Sequence, residues 1–272
     1  MTEPSEPLPG GCALAAAYAG VFLVWYVGVS GLVSAVAGYD FITSAAGLSV
    51  LVGSVGLGGV WLGDRLRRLA DWTPRETWGL GSGPPRARIA AAAGLGGLSL
   101  GIVGGWLAEH VGPHLKSALR WPESADALAT LGAALGEGPL VWRVVFIVFV
   151  VLIGPLFEEL IFRGVLWRSL RGTGAVVTVL VTSIAFAAYH ADPAQAIGVL
   201  PLALFLGLLR YAGASLVPCI LAHCVNNGLA TTLALSTDPS APTPGSLTLL
   251  AGLVGITATL LAVAGLRGQR PG

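Results

Sequence analysis

Long uncharged runs alternate with short charged segments along the whole 272-residue chain. A hydrocarbon core of about 30 Å needs about 20 apolar residues in a helix, with a range of about 17 to 25. Eight runs in this sequence reach about that length. The pattern therefore predicts an all-α fold, a polytopic membrane bundle of about eight transmembrane helices. The predicted helices cover residues 12–37, 41–62, 87–107, 141–170, 174–190, 195–211, 214–235 and 246–266.

The composition also favours a membrane protein. Hydrophobic residues make up 54% of the chain and charged residues 11%, whereas an average soluble domain carries about 25% charged residues. These charges are too few to cover a water-facing surface, which excludes a soluble globular protein. The net charge of +1 is too small for nucleic-acid binding through phosphate neutralisation. The lipid bilayer is the expected environment, and no nucleic-acid partner is expected.

The basic residues predict the orientation of the bundle, because cytoplasmic loops carry an excess of Lys and Arg. With eight helices and the N-terminus inside, eleven of the 15 basic residues fall on the cytoplasmic side. The outer side holds Lys116, Arg120 and Arg143. The first apolar run is longer than a signal-peptide core of about 7 to 15 residues, so we expect it to remain as the first span. Both termini are therefore predicted to be cytoplasmic.

Three regions follow from this layout. Residues 1–140 form an N-terminal membrane region with three helices, an Arg-rich cytoplasmic loop at 64–88 and an outer segment at 109–140. Residues 141–235 form the core, and residues 236–272 hold the last helix and a short tail. The Arg-rich segment is either a loop that sets orientation or a helix lying on the anionic leaflet, and we favour the loop.

The outer segment contains Glu109, His110 and His114, which are residue types that bind metals. Gly112 and Pro113 lie between the two histidines and interrupt the helical spacing that would bring them together. We therefore favour a structural interpretation of these residues.

Glycines recur at every fourth residue in two predicted helices. Gly59 and Gly63 lie in the second helix, and Gly97, Gly101 and Gly105 lie in the third. Because stripes of small residues let membrane helices approach closely, we expect these faces to pack tightly against neighbouring helices.

The core region carries ionisable and polar residues inside its predicted spans. A charge at the centre of a membrane helix costs about 2.5 kcal/mol or more, so such residues are functional hypotheses by default. They occur in the stretches GPLFEELIFRGVLW, FAAYH and SLVPCILAHCVNNG. The residues of interest are Glu158, Glu159, Arg163, Phe186, His190, His223 and Asn227.

Helical spacing separates the two glutamates. Glu159 and Arg163 are four residues apart with the glutamate first, which is the favourable order for a salt bridge on one face. Glu158 points about 100° away from Glu159, which leaves it free to face a substrate. We therefore predict Glu159 and Arg163 to be a structural pair. His223 and Asn227 likewise share one face of the seventh helix.

The predicted depths of these residues agree. At a rise of about 1.5 Å per residue from the cytoplasmic turns, Glu158 lies about 18 Å deep and His190 about 24 Å. His223 and Asn227 lie about 14 and 20 Å deep. Four polar side chains from three helices thus fall within about 10 Å of one depth, which indicates one shared site.

A glutamate, two histidines and an asparagine can together hydrolyse a carbonyl compound. The carboxylate and a histidine can take a proton from a water and make it a nucleophile. The second histidine and the carboxamide can donate hydrogen bonds to the oxyanion that forms. The same four groups, Glu158, His190, His223 and Asn227, could instead bind a divalent metal such as zinc that activates the water.

Three motifs occur in order along the core. EExxxR is formed by Glu158, Glu159 and Arg163, FxxxH runs from Phe186 to His190, and HxxxN runs from His223 to Asn227. With their spacing, these motifs resemble the CPBP family of intramembrane proteases, also called Abi, which includes the type II CAAX prenyl endopeptidases. The similarity covers roughly residues 141–235.

The resemblance implies an eight-helix membrane fold that hydrolyses a peptide bond inside a membrane cavity. By carry-over, Glu158 and His190 would activate the water, His223 and Asn227 would hold the oxyanion, and Phe186 would support them. The family is classed with metalloproteases, so the four polar residues are also the expected ligands of a possible zinc ion. The implied substrate is a membrane-associated peptide, prenylated at its C-terminus in eukaryotic relatives.

An intramembrane endopeptidase is therefore the leading hypothesis for this sequence. The alternative is a non-catalytic membrane protein, such as an immunity or scaffold protein, in which the polar cluster only joins helices. A transporter ranks third, because the sequence shows no internal repeat.

Overall fold

The computed structural model describes residues 11–37, 44–78, 87–122, 127–136, 139–213, 215–236 and 245–267. Every regular element among these residues is a helix. The helices are α1 (Gly11–Ala37), α2 (Ala45–Leu69), α3 (Pro74–Trp78), α4 (Ala87–His110), α5 (Gly112–Ala118), α6 (Ala127–Gly136), α7 (Leu140–Thr173), α8 (Ala175–Tyr189), α9 (Pro193–Gly213), α10 (Val217–Ser236) and α11 (Gly245–Arg267).

The predicted polytopic helical bundle is confirmed. Each of the eight predicted helices has a counterpart, namely α1, α2, α4 and α7 to α11. Within the described ranges, α1, α2, α4, α7 and α9 contain stretches long and apolar enough to cross a membrane, and α8 and α11 are shorter apolar helices.

The predicted Arg-rich loop is shorter than its sequence indicates. Helix α2 continues past the predicted end at residue 62 and stops at Leu69. Its charged last turns remain helical because Asp64 accepts hydrogen bonds from Arg67 at 2.8 Å and from Arg68 at 2.7 Å, three and four residues later. Helix α3 follows after a short turn. Residues 79–86 of the predicted loop lie outside the described residues.

Two clusters of buried residues surround the polar core residues. One cluster joins α1, α2, α7, α8 and α9, and the other joins α4, α9, α10 and α11. Many large apolar side chains on outer faces stay exposed, among them Leu249 at 74% and Val176 at 72%. This is the distribution expected for helices that face lipid instead of water.

Glycines bring α2 directly against α7. A Cβ atom at Gly59 would lie 2.5 Å from a side-chain carbon of Ile161, and one at Gly63 would lie 2.5 Å from Val165. These distances leave no space for a larger residue. The predicted close packing of this pair is therefore confirmed, and it fixes α2 on the helix that carries the two central glutamates.

The glycine stripe of α4 faces α10 along two of its three positions. A Cβ atom at Gly97 would lie 2.3 Å from the Ala222 carbonyl oxygen, and one at Gly101 would lie 2.7 Å from Asn226 Oδ1. A Cβ atom at Gly105 would meet no atom of the described residues within 4 Å. The prediction of close packing is right for Gly97 and Gly101 and wrong for Gly105, where the stripe passes beyond the interface.

We expect Gly97→Ala to lower the free energy of unfolding by about 1–3 kcal/mol, the usual effect of overpacking. The added methyl group would meet the backbone of Ala222, which cannot rotate away as a side chain could. Gly105→Ala is the matched control, and because alanine favours a helix over glycine by about 1 kcal/mol it should be neutral or stabilising. Denaturant unfolding of the purified variants measures both, and equal stabilities would contradict the interface.

Candidate active site

Three helices meet at the predicted polar residues. Helix α7 supplies two adjacent glutamates and an arginine, α8 supplies a phenylalanine and the histidine that ends it, and α10 supplies a histidine and an asparagine. Two π-helical segments of α7, Phe149–Ile153 and Leu160–Leu166, lie on either side of the two glutamates, and the second contains the arginine. Such segments occur frequently at functional sites because they widen the helix locally.

Glu159 is the buried centre of a charged network. Its Oε1 atom lies 3.1 Å from Arg163 Nη1 and 3.0 Å from His223 Nδ1. The side chains of Glu159 and Arg163 are fully buried. Arg163 Nη2 also donates to the Ala203 carbonyl of α9 at 2.9 Å. Glu159 therefore joins α7 to α10 in addition to pairing with Arg163, and the sequence spacing identified only the arginine.

Glu158 has a different environment from its neighbour. Its side chain keeps 18% exposure, and its Oε2 atom lies 3.5 Å from His223 Nε2. The imidazole of His223 therefore lies between two carboxylates. This imidazole is therefore part of a network with two carboxylates and one guanidinium.

Phe186 supports both histidines. Its ring centroid lies 5.0 Å from that of His190 and 5.4 Å from that of His223, in edge-on contacts. His190 Nδ1 lies 3.0 Å from the Phe186 carbonyl oxygen. Because a carbonyl oxygen only accepts hydrogen bonds, this contact assigns the proton to Nδ1 and leaves a lone pair on Nε2 of His190.

Asn227 bonds to a backbone carbonyl of α7 at a point where the hydrogen bonding within the helix is interrupted. The Gly154 amide donates to the Phe149 carbonyl, five residues earlier, as in a π-helix. In that register the Val150 carbonyl would need the amide of Pro155, and proline has no N–H. Asn227 Nδ2 donates to the Val150 carbonyl instead, at 2.9 Å. The proline before the glutamates therefore creates the acceptor that holds Asn227.

Asn226 fixes the orientation of the Asn227 carboxamide. Asn226 Nδ2 donates to Asn227 Oδ1 at 3.1 Å, so the oxygen of Asn227 faces Asn226 and its nitrogen faces Val150. A carboxamide nitrogen carries two N–H groups, and Val150 accepts one. Residue 101 is a glycine, and a larger side chain there would overlap the carboxamide of Asn226. Sequence reasoning missed Asn226, although its place beside Asn227 is a signal.

The comparisons with known proteins agree with this part of the chain. Residues 140–229 match the family model described as Type II CAAX prenyl endopeptidase Rce1-like. The chain contains an Rce1-like segment. Neither the curated proteins nor the solved structures contain a match to the chain. The match is consistent with the predicted CPBP family, and at the level of that family it supports a CAAX-type intramembrane protease.

The Rce1-like segment contains all the residues of the three motifs. It begins where α7 begins and ends within α10. The membrane location of the chain is supported both by this family and by the apolar helices.

Tyr189 connects the Rce1-like segment to α1. Its ring centroid lies 5.7 Å from that of His190 and 5.5 Å from that of Phe162. On its other side it contacts Phe22 at 6.0 Å and Tyr26 at 5.4 Å. The first helix therefore forms an aromatic wall beside the site. Sequence reasoning missed Tyr189, although it directly precedes His190.

An ion pair holds the turn that follows His190. Asp192 Oδ1 accepts hydrogen bonds at 2.8 and 3.0 Å from two backbone amides in the first turn of α9. Its Oδ2 atom lies 3.0 Å from Lys116 Nζ of α5. Ala191, which lies between His190 and Asp192 in the sequence, has a φ of 53°, in the left-handed region. Helix α5 is thus tied to the end of α8, where His190 lies.

The Asp192 carboxyl makes this turn sensitive to acid. Burial alone would raise its pKa, but hydrogen bonds from the Gln195 amide and the Lys116 ammonium outweigh burial and lower the pKa below its ordinary value. A carboxyl with a lower pKa in the folded state stabilises the fold above its unfolded pKa of about 3.9. That stabilisation is lost as the pH falls through the folded pKa.

We expect Asp192→Ala to lower the free energy of unfolding by about 0.5–2 kcal/mol at neutral pH, the usual effect of losing an N-cap. The difference from the parent should shrink as the pH falls below about 3.9. Unfolding curves of both proteins at neutral and acidic pH measure this. A difference that stays constant with pH would argue against a charged Asp192.

The described residues include no group of three or more His, Cys, Asp or Glu side chains placed to hold a metal ion. In the Rce1-like segment, Nδ1 of His223 is bonded to Glu159 and Nδ1 of His190 to the Phe186 carbonyl. Each ring therefore has one remaining nitrogen. The zinc expected through Glu158, His190, His223 and Asn227 stays a prediction.

Proposed function

We propose that the protein is an intramembrane endopeptidase that hydrolyses a peptide bond of a membrane-associated substrate. The environment of Glu158 carries the proposal. Its side chain is partly exposed and adjoins His223, whereas Glu159 is fully buried against Arg163. A carboxylate that is partly exposed, beside a histidine, suits general-base catalysis. The Rce1-like family match supports protease chemistry for this segment.

In the proposed reaction, Glu158 and His190 activate the water. Glu158 takes one proton as the water oxygen bonds to the substrate carbonyl carbon, and the carbonyl electron pair moves onto its oxygen. The lone pair on His190 Nε2 accepts a hydrogen bond from the water and orients it. When the C–N bond breaks, the electron pair returns from the oxyanion and Glu158 gives its proton to the leaving nitrogen.

His223 and Asn227 are the proposed donors to the oxyanion. His223 lies between two carboxylates, which accept hydrogen bonds from its Nδ1 and approach its Nε2, and in the proposal Nε2–H is the donor to the oxyanion. Asn227 uses one N–H on Val150 and has a second to offer. Two such donors, held in place before the substrate arrives, stabilise the negative charge that develops during attack.

We propose a prenylated C-terminal peptide as the first substrate to test, because the matching family model describes CAAX prenyl endopeptidases. An apolar substrate chain is also supported by Tyr189, which contacts His190 and is backed by the aromatic rings of Phe22 and Tyr26. We also propose that both termini face the cytoplasm, because that orientation places most arginines inside.

The experiment is cleavage of a farnesylated peptide and of an unprenylated transmembrane peptide by the purified full chain in proteoliposomes. Mass spectrometry identifies the products, and water labelled with oxygen-18 should place one label in the new carboxylate. Glu158→Ala and His223→Ala should abolish cleavage, whereas Glu109→Ala, at an exposed site outside the Rce1-like segment, should cleave like the parent. Equal cleavage by all variants would overturn the proposal.

Metal analysis of the same protein, with cleavage in the presence and absence of a chelator, tests the predicted zinc. If the parent cuts neither peptide and the alanine substitutions only lower the melting temperature, the polar cluster has a structural role in helix packing.

A further inference from the structure

Arg210 is a buried cation that the proposed reaction does not use. It lies in the last turn of α9 and is 7% exposed. Its Nε donates to the Arg163 carbonyl at 2.9 Å, which is the one hydrogen bond that Arg210 makes within the described ranges. A guanidinium has five N–H donors in a planar fork. Most of its donor capacity therefore remains for a ligand.

The charges around Arg210 do not balance. Among the described residues, the charged side chain that interacts electrostatically with Arg210 is another cation, the exposed Arg171. Arg168 lies in the same region and pairs with Glu76 at 3.4 Å. These four residues sum to a charge of +2, three arginines against one glutamate. A buried charge is unfavourable unless it is paired, and the described residues of this region supply too few anions to pair all three arginines.

The start of α8 adds backbone donors to the same region. Gly174 precedes this 15-residue helix with a φ of 98°, and no side chain of the described residues caps the helix. Gly207 of α9 packs closely against Val179 of α8, because a Cβ atom at Gly207 would lie 3.1 Å from Val179 Cγ1. This contact sets how the antiparallel helices α8 and α9 align. One turn beyond that contact, Arg210 comes level with the first turn of α8. The free amides of a helix start attract anions.

We propose that Arg171, Arg210 and the first turn of α8 bind a phosphate group, supplied by the headgroup of an anionic phospholipid. Arginine suits phosphate because its planar fork makes two parallel hydrogen bonds. Lipid is the source because the site lies at the end of membrane helices, where headgroups lie, and because basic pockets between such helices bind anionic headgroups. Arg171 is exposed and can meet the headgroup first.

The site is joined to the catalytic network by one residue. Arg210 bonds the backbone carbonyl of Arg163, whose side chain pairs with Glu159. A bound phosphate that holds Arg210 therefore also steadies α7 next to the buried charges. This makes the lipid a structural ligand of the folded state, which it should stabilise by mass action.

The test measures the melting temperature of the purified full chain in detergent with added phosphatidylglycerol, phosphatidylcholine or inorganic phosphate. We expect phosphatidylglycerol to raise the melting temperature of the parent more than phosphatidylcholine does. Arg171→Gln should lose at least half of this shift. Arg88→Gln, which removes an exposed arginine from the start of α4, should keep it. Equal shifts in the two variants, or with the two lipids, would overturn the proposal.

Native mass spectrometry gives a second measurement that does not depend on melting. The parent and Arg88→Gln should retain one phosphatidylglycerol molecule, and Arg171→Gln should retain at least twofold less. The folded fraction of Arg210→Gln should lose the lipid as well. If inorganic phosphate gives the whole shift and no lipid is retained, the anion is free phosphate and the lipid assignment is overturned.

Discussion

The Glu158→Gln variant is expected to hydrolyse the substrate peptide about 10²–10⁴-fold more slowly than the parent, the usual contribution of a general base. Glutamine has nearly the same size and shape but cannot take a proton from water. The side chain is partly exposed, and its described ionic contact is the 3.5 Å approach to His223. The substitution should therefore leave the fold intact. Initial rates at saturating peptide, together with the melting temperature, separate the two effects.

Glu109→Gln is the matched control, because it makes the same chemical change at an exposed site at the end of α4. It should keep the rate of the parent. If Glu158→Gln keeps that rate too, Glu158 is not the base. If the rate falls only in proportion to a lost folded fraction, the role of Glu158 is structural.

The Arg163→Met variant is expected to lose about 3–5 kcal/mol of unfolding free energy, the usual effect of removing one partner of a buried ion pair. The substitution leaves Glu159 buried without its guanidinium partner. It also removes the bond to the Ala203 carbonyl and the contact of the guanidinium with the Phe186 ring at 4.5 Å. Denaturant unfolding of the purified variant in micelles measures the loss.

The chain offers a close control in Arg68, which pairs with Asp64 at the same spacing of four residues but has 67% exposure. Arg68→Met should change the unfolding free energy by about 0.5 kcal/mol or less, as for other exposed pairs. The double substitution Glu159→Gln with Arg163→Met should recover part of the loss, because it removes the unpaired charge. Equal losses at positions 68 and 163 would contradict the buried network.

The helices could be predicted from the sequence because burial in lipid requires long uncharged runs. Their ends were less predictable where charges neutralise one another locally, as Asp64 does with Arg67 and Arg68 in α2. A charge pattern alone indicates a loop there. Ion pairing within the helix keeps the chain regular to Leu69.

The candidate site was predictable as far as local spacing reaches. The i, i+4 rule brings Glu159 to Arg163, but it does not reveal that Glu159 also meets His223, 64 residues away. The bond from Asn227 to Val150 spans 77 residues and depends on a backbone carbonyl that Pro155 leaves without a partner. Only the assembled helices show such long-range contacts.

The close contact between α4 and α10 at Gly97 and Ala222 has a consequence for modularity. Helix α4 belongs to the N-terminal half of the chain, outside residues 140–229, yet its backbone touches the helix that carries His223. The family-matched stretch thus holds the proposed catalytic residues but packs directly against a helix outside it. Substitutions in the half without recognisable motifs can therefore affect those residues through this contact.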